Sequence, residues 1–225
     1  MAPVIWFVTG TDTGVGKTVV AAALARAERE AGRAVTYCKP VQTGLAPGEP
    51  GDADYVTAAA GVPVTEGLRL AEALAPAVAA ERAGIKVDVD ALVSWCRHQA
   101  DGVDVLVVEG AGGLLVPLSG DVTVADLAGR LGAQMVIATR PGLGTLNHTA
   151  LTLEAARTRG LPVAGLVVCG WPAEPGVTEA TNLERLAAMA PILGLIPFVA
   201  GLDTAAAGAG SEAPALQQPG REIPG

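Results

Sequence analysis

The sequence predicts a doubly wound α/β domain around a mostly parallel sheet, and three observations carry that expectation. Short apolar runs alternate along the chain with helix-forming stretches. The runs are continuously apolar instead of alternating with polar residues, as parallel strands buried on both faces require. Hydrophobic residues make up 50% of the 225-residue chain but aromatic residues only 3%, and such an Ala-, Val-, Leu- and Gly-rich core lets helices pack closely on a sheet. The length suits one core of this kind.

The elements follow in order. Residues 4–9 form the first expected strand, then comes a glycine-rich turn, then a helix over 17–31 that Gly32 would end. A strand over 34–38 leads to a Gly- and Pro-rich loop at 44–51 and a helix over 53–60. Residues 61–85 show weak periodicity and read as a surface wrap. A helix over 89–100 precedes a strand over 103–109, and a helix over 124–131 precedes a strand over 135–139. A helix over 146–159, ended by Gly160, leads to a strand over 163–169. A helix over 177–190 and a weaker strand over 192–195 close the domain, expected at 1–200. The segment 201–225 is rich in Ala, Gly, Pro and Gln and reads as a loosely ordered tail.

The turn after the first strand reads Gly10-Thr11-Asp12-Thr13-Gly14-Val15-Gly16-Lys17-Thr18. Strand, glycine-rich turn, Gly-Lys-Thr and helix is the layout of a phosphate-binding loop, so the fold expected is of the P-loop NTPase type. Backbone N–H groups at the positive end of the helix cradle phosphate oxygens. Lys17 would neutralise the outer phosphates, and the Thr18 hydroxyl would ligate Mg2+. The usual spacing places a glycine at position 11, where Thr11 stands; Gly10 is one residue early.

Composition narrows the partners. A net charge of −8 argues against nucleic acid, which needs clustered Lys and Arg, and the few aromatics argue against base-stacking platforms. The three cysteines Cys38, Cys96 and Cys169 are far apart, which points to reduced thiols and a cytoplasmic protein. No basic leader or apolar run of the ~20 residues needed to cross a bilayer is visible, so no membrane role is expected.

Open parallel sheets bind ligands beyond the carboxyl ends of their strands, and the unusual polar residues gather there. Lys39 ends the second strand and reads either as an ion-paired surface charge or as a cation that stabilises a transferring phosphoryl group. Glu109 ends the strand at 103–109 and reads as a turn cap or as an Mg2+ ligand. Gly110, Ala111, Gly112 and Gly113 beside it leave room for a ligand against the backbone. Asp52 and Asp54 open a helix and read as N-caps or as a second source of metal ligation. Thr145 reads as the N-cap of its helix, whose start could instead bind an anionic group. His98 and His148 belong to no Ser-His-Asp set and read as structural, and the tryptophans Trp6, Trp95 and Trp171 as packing residues.

Four segments together resemble the dethiobiotin synthetase family: Gly-Thr-Asp-Thr-Gly-Val-Gly-Lys-Thr at 10–18, Cys-Lys-Pro-Val-Gln-Thr-Gly at 38–44, Val-Glu-Gly-Ala-Gly-Gly-Leu-Leu-Val-Pro-Leu at 108–118, and Leu-Gly-Thr-Leu-Asn-His-Thr-Ala-Leu-Thr at 143–152. The irregular phosphate loop is the family's own form. The resemblance implies ATP-dependent ring closure of 7,8-diaminopelargonate with CO2, through a carbamate and a carbamic-phosphoric anhydride, to give dethiobiotin in biotin synthesis. It implies ATP contacts at Gly14, Val15, Gly16, Lys17, Thr18 and Val19, and at Glu109, Gly110, Ala111 and Gly112. It places Mg2+ on Thr18, Asp52 and Glu109. It gives Thr11, Lys17 and Lys39 to catalysis, and Thr11, Lys39, Thr43 and Gly112 to the diamine. The substrate carboxylate is expected at Leu143, Gly144, Thr145, Leu146 and Asn147 of a second subunit, so the resemblance implies a homodimer.

One position departs from the family pattern. Many relatives carry Asn where Cys169 stands, and a thiol lacks the paired donor and acceptor of an amide. Base recognition would then rest on backbone around Cys169, Gly170 and Pro197-Phe198-Val199. The rival reading is a switch ATPase of the partition and septum-positioning type, which shares the sheet; Thr11, Asp12 and Thr13 stand where those proteins carry a second lysine. A glutamine-dependent cobyrinate amidating synthase would need a further glutaminase domain. A paralogue that binds without turnover is disfavoured by Lys17, Thr18, Lys39 and Glu109.

Overall fold

The computed structural model describes residues 2–198. β1 (Val4–Gly10) leads through the phosphate loop into α1 (Lys17–Glu30). β2 (Val35–Thr43), α2 (Asp52–Ala60), β3 (Val64–Leu70), α3 (Pro76–Arg82) and α4 (Val89–Gln99) follow. After β4 (Val105–Gly113) come two short strands, β5 (Pro117–Ser119) and β6 (Val122–Thr123), and then α5 (Val124–Leu131). β7 (Gln134–Thr139), α6 (Thr145–Thr158), β8 (Val163–Trp171), α7 (Val177–Met189) and β9 (Ile192–Pro197) complete the described chain.

Seven strands form one sheet in the order β3-β2-β4-β1-β7-β8-β9, and each neighbouring pair is parallel. The doubly wound α/β sheet expected from the sequence is therefore present. The chain leaves β1 at the point where the strand order turns from one side of the sheet to the other, which is where such sheets open a crevice for ligands. Alternation along the strands feeds two layers. Phe7, Cys38, Leu106 and Val108 pack with Val93 of α4 and Leu127 of α5. Val8, Tyr37, Val105 and Val107 pack with the small side chains of α1, among them Ala21, Ala22 and Ala25. Those alanines bring α1 close to the sheet and fix its first turn below the phosphate loop.

Three expectations change. The segment 61–85 is no irregular wrap: it holds β3 and α3. β3 is an edge strand, so it lacks the apolar run of a buried one, and Glu66 and Arg69 pair across its surface at 2.6 Å. Strand β2 runs on to Thr43, past Pro40, because Gly67 of β3 lets the Pro40 carbonyl approach; a Cβ there would stand 2.5 Å from that oxygen. Thr145 is the first residue of α6 and Gly144 caps it. Gly32 and Gly160 adopt the positive φ expected just beyond α1 and α6. The expected tail at 201–225, and Val199, lie outside the described residues.

Candidate active site

The phosphate loop hangs between β1 and α1. Gly16 takes φ 95° at the α1 N-cap, and a Cβ on it would lie 2.9 Å from Cys169 Cβ, so only glycine fits. Gly10 is fixed by a different contact. A Cβ there would stand 2.5 Å from Val15 Cγ2, so the early glycine makes room for the loop to fold back over β1. Lys17 Nζ donates to the Asp12 carbonyl at 3.0 Å and spans the loop from inside.

Two strands and two helices then bring the charged groups together. Lys39 Nζ lies 2.6 Å from Glu109 Oε1 and 2.7 Å from Asp52 Oδ2, and it also donates to the Gly110 carbonyl at 3.4 Å. The Thr18 hydroxyl donates to Glu109 Oε1 at 3.0 Å. Asp54 turns away and accepts from the Gly51 N–H at 2.7 Å, so it closes the start of α2 while Asp52 faces Lys39. The two aspartates that spacing left equivalent thus take different places.

Burial shapes the electrostatics. Burial opposes the charge on Lys39, but Glu109 and Asp52 outweigh it and raise its pKa, so Lys39 stays an ammonium. Burial lowers the Lys17 pKa, with Glu109 pulling back up and Lys39 adding to the fall. Burial raises Glu109 despite the charge of Lys39, while for Asp52 burial is outweighed by Lys39 and the pKa is lowered. Burial pushes the Cys169 thiol up to about 12 against the pull of Lys17, which leaves it neutral.

Two cavities meet at Gly14 and Gly16 of the loop. The larger, about 560 Å³, is lined by Gly14, Gly16, Lys17, Thr18, Val19, Lys39, Thr43, Asp52, Glu109, Ala111 and Gly112. The other, about 380 Å³, is lined by Val15, Val19, Leu143, Cys169, Gly170, Pro197 and Phe198 together with the loop glycines Gly14 and Gly16. Thr11 opens onto a third cavity of about 400 Å³, beside Gly113, Leu115 and Leu151. Among the expected residues, Thr145 is turned elsewhere: its hydroxyl lies 2.7 Å from that of Thr139, inside the protein. Leu146 packs against the core around Leu153, and Asn147 is exposed.

Three side chains around the site carry no motif signal. Tyr37 donates its hydroxyl to Glu109 Oε2 at 2.8 Å. Arg140 donates to the Thr13 carbonyl at 2.9 Å and so ties the phosphate loop to the end of β7. Asn182 of α7 holds the turn before α6 through the carbonyls of Pro141 and Gly142, at 2.8 and 3.1 Å. A buried phenol in an aliphatic strand was the one available hint, because its hydroxyl needs a partner.

The donor set suits a hard divalent cation, since Thr18, Asp52 and Glu109 offer a hydroxyl and two carboxylates at the mouth of a phosphate cradle. Sheet, loop and charged cluster define a P-loop protein of the nucleoside-triphosphate-using class. The chain matches the family model described as "AAA domain" over residues 6–206. It is 50% identical over 202 residues to the ATP-dependent dethiobiotin synthetase of Rhodococcus jostii, covering 88% of this chain and 87% of that one. It is 51% identical over 205 residues to that of Mycolicibacterium smegmatis, covering 86% and 87%. The chain belongs to the ATP-dependent dethiobiotin synthetase family. In structure it is similar to the cell division ATPase MinD of Pyrococcus furiosus, with a TM-score of 0.57 at 18% identity over 92% of this chain and 87% of that one. That likeness is one of fold.

Proposed function

We propose that the chain closes the ureido ring of dethiobiotin from 7,8-diaminopelargonate, CO2 and ATP. The observation that carries this reading is the convergence of Lys17, Thr18, Lys39, Asp52 and Glu109 on one cavity that also takes in Thr43 and Gly112. Membership in the synthetase family supports the substrate.

One amine of the diamine adds to CO2 and loses a proton, giving a carbamate. Ammonium groups nearby favour the neutral amine that this addition needs. Lys39, kept charged by Glu109 and Asp52, would hold the carbamate oxygens. A carbamate oxygen attacks the γ-phosphorus and ADP leaves, with Lys17 and the N–H groups of the phosphate loop taking up the charge. The second amine attacks the carbamoyl carbon. Phosphate departs with the electron pair of the broken C–O bond, the amine loses a proton, and the ring is closed.

Thr18, Asp52 and Glu109 would hold Mg2+, which would supply positive charge against the charge that develops on the transferring phosphoryl group. Thr43 and Gly112 would face the diamine from the larger cavity, and Thr11 from the neighbouring one beside Gly113. The base would occupy the cavity at Cys169, Gly170, Pro197 and Phe198, where backbone groups and not an amide side chain read it. Val199, outside the described residues, belongs to the same proposal. The substrate carboxylate would meet the start of α6 of a second subunit, around Leu143 to Asn147. Leu143, Leu151 and Leu115, exposed at 91%, 57% and 48%, support a homodimer on this side. Among the described residues no helix is long and apolar enough to cross a membrane. All three cysteines are free, which supports a reducing compartment, and we assign the reaction to the cytoplasm.

Incubation with diaminopelargonate, bicarbonate, Mg2+ and each nucleoside triphosphate in turn tests the reading. Dethiobiotin and phosphate in equal amounts with ATP are expected. No ring product with any nucleotide would end it.

A further inference from the structure

Tyr37 reaches the same carboxylate as Thr18 and Lys39 but through its other oxygen. Strand register sets Tyr37 against Val107 of β4, two residues before Glu109. It belongs to the buried cluster packed against α1, and its hydroxyl donates to Glu109 Oε2 at 2.8 Å. Glu109 Oε1 accepts from Thr18 at 3.0 Å and from Lys39 at 2.6 Å. One oxygen of the carboxylate is thus committed to the core and the other to the site. A phenylalanine would fill the same apolar space, since Tyr37 is fully buried. The hydroxyl is what tyrosine adds.

This asymmetry bears on which cation fits. Mg2+ is small, demands near-octahedral geometry and takes one oxygen from a carboxylate, whereas the larger Ca2+ readily takes both. We propose that Tyr37 is a positioning residue that makes Glu109 a one-oxygen ligand and so sets a preference for Mg2+ over Ca2+. The inference rests on the reading of Glu109 as a metal ligand. No part of the recurring motifs contains Tyr37, and its hydrogen bond touches neither nucleotide nor diamine cavity. Its action runs entirely through Glu109.

Calorimetric titration tests it, with the Mg2+ and Ca2+ complexes of adenylyl imidodiphosphate, a non-hydrolysable ATP analogue, added to the full chain and to Tyr37→Phe. The substitution is expected to weaken the Mg2+ complex about tenfold, as loss of a partner to a metal ligand does. The Ca2+ complex should hold or tighten, so that the ratio of the two affinities shifts towards Ca2+. An equal change for both metals, or none, overturns the proposal, because a merely structural role would not separate them. Fluorine NMR gives a second reading on the unsubstituted protein, which contains two tyrosines. With both fluorinated and Tyr55→Phe used for assignment, exchanging the Mg2+ complex for the Ca2+ complex should move the Tyr37 signal and leave that of Tyr55. An unmoved Tyr37 signal overturns the proposal whatever Tyr37→Phe does. Dethiobiotin formation by the unsubstituted protein is followed in parallel. Its absence counts against the proposed reaction, whereas product with an unchanged metal ratio counts against Tyr37 alone.

Discussion

Lys39 is a buried cation held between two carboxylates, and the proposed chemistry turns on it. Lys39→Ala leaves Asp52 and Glu109 facing each other with no ammonium between them. Turnover should fall by a factor of about 100 or more, as removal of a preorganised charge does, and the fold should lose about 3–5 kcal/mol, as breaking one side of a buried pair does. Steady-state kinetics and urea unfolding measure the two effects. The pH dependence has a definite sign. The Asp52 pKa is lowered in the fold, so its contribution is present above the ordinary 3.8 and is lost as pH falls through the lower folded value. The Lys39 pKa is raised, so its contribution is complete below 10.5 and fades only in strong alkali. The stability gap between the unsubstituted protein and Asp52→Asn should therefore narrow as pH drops below 3.8, and a gap that widens would contradict the pairing. Sequence showed that Lys39 and Glu109 stand at the carboxyl ends of apolar runs, which was enough to place them at the same end of the sheet. It could not separate Asp52 from Asp54, because both fit the first turn of a helix; only the direction of α2 decides which carboxylate reaches Lys39.

The phosphate loop shows how an element can be legible in outline and opaque in detail. Gly14, Gly16, Lys17 and Thr18 announce it by spacing alone. The reason for Gly10 is a contact across the loop, to Val15, which no local pattern encodes. Gly10→Ala should weaken ATP binding because the new methyl group collides with Val15. Val15→Ala in the same chain removes the colliding Cγ2 atom, and calorimetry should show part of the affinity restored. Equal binding by the single and double variants would contradict this account of the loop. β3 was hidden for a related reason. An edge strand buries one side only, so Glu66 and Arg69 interrupt the apolar run that marks the inner strands, and α3 is short with proline at its start.

For the whole molecule, the alternation of continuous apolar runs with helices was enough to give a parallel sheet, because strands covered on both faces leave that mark. The order β3-β2-β4-β1-β7-β8-β9 was not written in the pattern, since it depends on which runs pair. The exposed leucines bear on assembly. If the carboxylate site is shared between two subunits, as proposed, Leu143→Asp with Leu151→Asp should convert a dimer to monomers in sedimentation equilibrium and raise the KM for the diamine. An unchanged mass would remove these residues from the interface.

The central claim is that this fold carries an oxygen of CO2 onto phosphorus while it closes a ring. Bicarbonate labelled with heavy oxygen, supplied with diaminopelargonate, Mg2+ and ATP, tests it most directly. Mass spectrometry of the products should find dethiobiotin and phosphate in equal amounts, with one labelled oxygen in each phosphate. Phosphate released without label, or without dethiobiotin, would contradict the account.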